Sequence, residues 1–145
     1  MDVALALETR ISLLAAGGIF LWALLLGVWK YVQMARSPEH VAHPYVDIAH
    51  RAALLYSFAS MLLAVFAELS AWASWVNVVA VLAVLVFFVG AIVSYMVHGW
   101  LRDTTNQFAS PVRGLHAFMI ALIVAEIGGF VVLFSGFVAA QFVTA

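Results

Sequence analysis

A chain of 145 residues that is 67% hydrophobic and 9% charged, with a net charge of −1 and a mean hydropathy of +1.14, lies far from soluble domains, which run at roughly 45–50% apolar and about 25% charged residues. A soluble fold of about 150 residues buries only some 70% of its extended-chain surface, so this much apolar surface calls for a bilayer as solvent. Six basic residues scattered among apolar runs exclude a nucleic-acid footprint, and the absence of cysteine excludes disulfides, zinc–thiolate centres, thiol nucleophiles and cysteine-bound iron–sulfur clusters.

The pattern predicts an all-α integral membrane protein: an antiparallel four-helix bundle forming a single transmembrane domain over residues 1–145. Its helices are expected at 11–34, 48–70, 76–98 and 114–143, each close to the roughly 20 residues that a rise of about 1.5 Å per residue needs to cross about 30 Å of hydrocarbon. The opening D-V-A-L-A-L-E-T-R carries two acids and no small-residue cleavage site follows, so the first helix is expected to stay rather than be removed as a signal peptide. Lys30, Arg36, Arg51, Arg102 and Arg113 flank the first and third connections, whereas the opposite side has Arg10. The positive-inside rule then puts those connections in the cytoplasm and both termini outside, in a bacterial inner membrane. Trp72 and Trp75 read as aromatic anchors at the outer interface. Small residues at Gly17-Gly18, Gly128-Gly129 and Gly136 suit close helix approach, which points to a homo-oligomer or a subunit of a larger membrane complex.

Three of the five histidines fall in H-V-A-H-P-Y-V-D-I-A-H, residues 40–50. His40 and His43 belong to the first connection, His50 opens helix two, His98 closes helix three and His116 opens helix four, so the last three share one depth. If helix two starts at Pro44, then His43, Asp47 and His50 lie on one face, continued by Leu54, Ser57, Met61 and Glu68. On helix three, Ser94, Tyr95 and His98 share a face.

Three readings of this cluster compete. In the first, His50, His98, His116 and Asp47 hold a metal ion (zinc, iron or copper), with His40 and His43 as additional ligands. Asp47 could instead fix a histidine tautomer. In the second, two facing histidines clamp haem b, with Gly99 and Gly114 leaving room for the porphyrin and Arg51, Arg102 and Arg113 meeting its propionates or lipid headgroups. In the third, these are interfacial polar residues, with Asp47 pairing Arg51 at i,i+4. A cofactor would make the chain an auxiliary redox subunit of a membrane complex. The alternatives are a cofactor-free structural or assembly subunit and a transferase-like membrane enzyme.

The connection G-W-L-R-D-T-T-N-Q-F-A-S-P-V-R is richer in hydrogen-bonding side chains than a turn needs. Asp103, Thr104 or Asn106 can cap local structure, or the segment can close over the histidines as a lid. Two acids fall inside apolar segments. Glu68 lies near the outer boundary, whereas Glu126 sits about 15–20 Å deep with no basic residue at its level, a candidate for proton handling.

Four helices with both termini outside, and polar residues between helices one and two on the cytoplasmic side, resemble the membrane-associated eicosanoid and glutathione transferase family in architecture. That family has an asparagine and a glutamate after R-A-H near the start of helix two, where this chain reads H-R-A-A-L-L-Y-S-F, so no glutathione-binding residues are implied. The H-R-A-A-L-L-Y-S-F and L-R-D-T-T-N-Q-F segments are also similar to small four-helix bacterial inner-membrane proteins of unassigned activity.

Overall fold

A computed structural model describes residues 4–111 and 113–143. They form α1 (Leu7–Arg36), α2 (Pro44–Glu68), α3 (Ser74–Leu101) and α4 (Leu115–Val138), the last running into a π-helical turn at Ala139–Val143, with no strand among the described residues. All four helices are long and apolar enough to cross a membrane.

The first three helices begin ahead of the expected apolar stretches, at Leu7, Pro44 and Ser74, and α1 and α3 also end beyond them, whereas α2 stops at Glu68. Glu8 in the first turn of α1 faces the positive end of the helix dipole, and Arg36 closes the last turn. Pro44 at the first position of α2 has the φ a helix needs and no N–H to satisfy, while His43 before it accepts from the Tyr45 N–H at 3.3 Å. At the end of α3 the chain turns through Arg102 in the left-handed region, φ 53°, where glycine is the usual residue.

At one end of the bundle, Lys30 and Arg51 both grip Asp47, at 2.6 and 3.0 Å, and the Gln33 side chain accepts from the His43 N–H at 2.9 Å. At the other end the Thr9 hydroxyl donates to Glu68, and Trp72 Nε1 donates to the Val132 carbonyl at 3.0 Å. Glu8 is only 3% exposed, and its carboxylate accepts from Ser74 Oγ at 2.7 Å and Asn77 Nδ2 at 3.4 Å. No ion pair holds Glu8 among the described residues. The amino-terminal dipoles of α1 and α3, which both begin beside it, supply positive potential instead.

Between these ends the core forms two clusters, Leu63, Val81, Val84, Leu85, Phe88 and Leu133 in one, Ile19, Ala23, Leu26, Ala49, Ala53 and Ile92 in the other. Tyr56 stacks flat on Phe88, ring centroids 4.1 Å apart. Small residues set the helix spacing: a Cβ on Gly27 would lie 2.9 Å from the His50 ring, and one on Gly99 would lie 2.8 Å from the Val46 side chain. Gly17, Gly18 and Gly128 face open space, and α4 leaves a broad apolar face uncovered by the rest of the chain, Ile120, Ile123, Val124, Ile127 and Val131 among it.

A candidate ligand site around His98 and Asp103

The left-handed turn at Arg102 reverses the chain just after α3 and brings Asp103 back beside the helix. His98 Nδ1 there donates to Asp103 Oδ1 at 2.8 Å. The rest of the connection is held in place from two sides. Its own turn is fixed by Thr104 Oγ1, which accepts from the Asn106 N–H at 3.0 Å, and by Asn106 Oδ1, which accepts from the Phe108 N–H at 3.0 Å. Across the bundle, the buried Tyr45 of α2 offers its hydroxyl oxygen to the Gln107 N–H at 2.7 Å, and Gln107 Nε2 donates to Ser94 Oγ of α3 at 3.3 Å. The Tyr45 ring also lies 6.0 Å from Tyr95 and 5.4 Å from His98.

The connection thus roofs a cavity of ≈ 550 Å³ between α3 and α4. Ser94, His98, Asp103, Thr104, Gln107 and Arg113 give it a polar side; Gly90, Val93, Leu115 and Phe118 give it an apolar one. The hydrogen bond from His98 holds the Asp103 carboxyl below the usual carboxylate range. An anionic Asp103 fixes the Nδ1–H tautomer of a neutral His98 and leaves Nε2 as an acceptor. The cavity therefore offers an imidazole acceptor oriented by a carboxylate, amide and hydroxyl groups, one guanidinium, and an apolar wall. That inventory suits an amphipathic small molecule.

The residues singled out from sequence part company here. His50 donates from Nδ1 to the Ala23 carbonyl of α1 at 2.9 Å, with its ring seated on Gly27. Asp47 is occupied by Lys30 and Arg51. His116 is exposed beside Phe108, ring centroids 6.2 Å apart, and His40 is exposed with φ 55°. Among the described residues no three His, Asp or Glu side chains are placed to hold a metal ion between them. The cavity that His98 lines and the cavity that His43 lines each hold one histidine among the described residues. Of the arginines, Arg113 lines the His98 cavity, Arg102 lines the His43 cavity, and Arg51 pairs with Asp47. Glu68 tethers the start of α1, while Glu126 has a buried Oε1 without a hydrogen-bond partner among the described residues.

Sequence reasoning missed Tyr45, which holds the roof down, and Glu8 with Asn77, which join α1 to α3. The signal for Tyr45 was its place directly after a helix-starting proline, where a large ring bearing a hydroxyl must turn inward or lie in the interface.

His43 sits just before α2, and its pKa is lowered, first by burial and then by the Arg102 guanidinium nearby. A group with a depressed pKa contributes stability that is complete above its ordinary value of 6.5 and is lost as the pH falls through the lowered value. Protonation removes the Nδ1 lone pair that caps α2 through Tyr45. Acidification below about pH 6 should therefore weaken the protein, and His43→Asn, which keeps a capping oxygen, should flatten that acid limb at a cost of under about 1 kcal/mol. Thermal melts of both proteins between pH 7.5 and 5 check this, and parallel pH profiles would contradict it.

No protein-family model matches the chain, and neither the curated proteins nor the solved structures give a match.

Proposed function

We propose that the chain is an integral protein of a bacterial inner membrane, its helices running alternately up and down, and that the His98–Asp103 cavity binds the head of a lipid-soluble quinol or quinone as part of a larger redox assembly. The observation that carries this reading is a carboxylate-backed imidazole in a cavity whose opposite wall is apolar. A quinol head both donates and accepts hydrogen bonds around a flat apolar ring. His98 Nε2 accepts from its hydroxyl, Gln107, Ser94 and Arg113 serve its other oxygen, and Phe118 and Leu115 face the ring and the start of the tail.

The membrane placement is supported by four long apolar helices and by contacts that join the end of α1 to the start of α2 and the start of α2 to the end of α3. Lys30, Arg36, Arg51, Arg102 and Arg113 concentrate at the His98 end, which therefore faces the cytoplasm. The uncovered face of α4 and the open Gly17-Gly18 pair are the surfaces for a second copy or a larger partner.

Protein purified from its native membrane in mild detergent should carry close to one quinone per chain on extraction and chromatography, and His116→Ala should leave that content unchanged. A preparation without quinone that shows a Soret band or a stoichiometric metal ion would overturn the reading in favour of a haem or metal cofactor.

A further inference from the structure

Beside the His98 cavity, which shares Val93 of α3 with the first of them, two further hollows meet at a single side chain, Trp29. The first is a groove of ≈ 690 Å³ between α1 and α3, walled by Trp22, Leu25, Leu26, Trp29, Met96 and Trp100. The second, of ≈ 650 Å³, is polar and holds Gln33, Arg36, Ser37, His43 and Arg102. Trp29 lines both, so an apolar trough about 10 Å long, at 1.5 Å of helix rise per residue from Trp22 to Trp29, opens directly into a basic head cavity.

The charges in that head cavity are unspent. Neither Arg36 nor Arg102 belongs to an ion pair among the described residues, although Lys30 and Arg51 close by are both taken by Asp47. Arg102 is held there by a left-handed backbone conformation, φ 53°, that a glycine would adopt without strain. The Arg102 guanidinium also acts on His43 across the cavity, so it lies within the hollow's electrostatic reach. Two guanidiniums without carboxylates are a binding site for a phosphate, and an apolar trough walled by three tryptophans is a seat for a hydrocarbon chain.

We propose that this continuous groove binds one anionic phospholipid, its phosphate between Arg36 and Arg102 and the upper part of one acyl chain against Trp29 and Trp100 between α1 and α3. Basic pockets between membrane helices on the cytoplasmic side take anionic headgroups in this way. The occupant is a lipid rather than a free anion because the cavity continues past Trp29 into an apolar trough. It is an anionic lipid rather than a zwitterionic one because the head cavity contains no carboxylate to meet a choline or ethanolamine group. The proposal rests on the membrane placement above and is independent of the ligand in the His98 cavity.

The test uses the full chain in nanodiscs. Failure to enter nanodiscs would contradict the membrane placement and this proposal with it, before any lipid is counted. Native mass measurement after release into detergent should then show phosphatidylglycerol retained at least tenfold more than phosphatidylcholine from an equimolar bilayer. Quenching of tryptophan fluorescence by chain-brominated phosphatidylglycerol should exceed that by brominated phosphatidylcholine. Arg36→Gln with Arg102→Gly should bring both ratios close to one, while circular dichroism shows helix content unchanged; the glycine suits the left-handed turn, so misfolding is not the expected cause. Equal retention of the two lipids by the wild type, or an undiminished preference in the double variant, would overturn the proposal. So would displacement of the lipid by millimolar glycerol phosphate, which would assign the cavity to a free anion.

Discussion

Gly129→Ala is expected to lower stability by about 1–3 kcal/mol, the range for forcing extra volume into a packed contact, whereas Gly128→Ala one residue away should be neutral or stabilising by up to about 1 kcal/mol. The two glycines share a helix and a sequence context, so propensity favours alanine equally at both. Their surroundings differ. A Cβ on Gly129 would lie 2.8 Å from the Ala80 carbonyl oxygen and 2.7 Å from the Val84 side chain, and the carbonyl belongs to the α3 backbone, which cannot rotate aside. A Cβ on Gly128 meets nothing within 4 Å. Gly129 thus marks a close approach of α4 to α3, and a larger residue there must push the two helices apart. Because α4 also forms one side of the His98 cavity through Leu115 and Phe118, Gly129→Leu should disturb the ligand site from a distance along the helix. Unfolding in mixed dodecyl maltoside and dodecyl sulfate micelles reads both changes, and equal effects at the two positions would contradict the close approach.

His98→Leu should weaken binding of a soluble quinol analogue by 10- to 100-fold, about 1.4–2.8 kcal/mol, because it deletes the imidazole acceptor and leaves Asp103 without its donor. Asp103→Asn should cost less, about three- to tenfold, since an amide oxygen can still accept from Nδ1 but is a weaker, uncharged acceptor that orients the ring less firmly. The pH dependence follows from the direction of the Asp103 shift. A carboxyl held below its ordinary value contributes fully above about pH 4 and loses that contribution only as the pH falls through the lowered pKa. Asp103 therefore stays ionised from pH 5 to 8, and a change in affinity within that window does not arise from it. Isothermal titration of detergent-solubilised wild type and both variants at pH 5, 6.5 and 8 separates these contributions. Wild-type affinity retained in His98→Leu would remove the histidine from the site.

The four helices were legible because runs of about 20 apolar residues have few other uses in so short a chain. Their ends were less so, since Glu8 and Arg36 belong to α1 through backbone geometry and dipole rather than hydropathy. His50, His98 and His116 were expected at one depth, whereas the cavity gathers His98 with Asp103 and Arg113 of the connection that follows α3. What periodicity cannot give is the neighbour a face meets. His98 lies level with Tyr45 rather than with His50, and His50, more than a turn further along α2, turns to Ala23 and Gly27 of α1, a choice made by the missing Cβ of Gly27 that nothing in α2 encodes. The polar connection was recognisable as richer in hydrogen-bonding side chains than a turn needs, with local capping and a lid both open as readings, but its fastening to Tyr45 joins residues 62 apart and has no local signature. Glu8 was hidden for a similar reason: its partners Ser74 and Asn77 lie 66 and 69 residues away.

The central claim, that the His98 cavity is the quinone site, is met most directly by photolabelling the protein in nanodiscs with an azido-quinone and mapping the adduct by mass spectrometry. The account predicts label within residues 90–118, on the walls formed by Val93, Ser94, Leu115 and Phe118, suppressed by excess unlabelled quinone and by His98→Leu. Label confined to the Trp22–Trp29 trough, or spread along all four helices and indifferent to competitor, would contradict it.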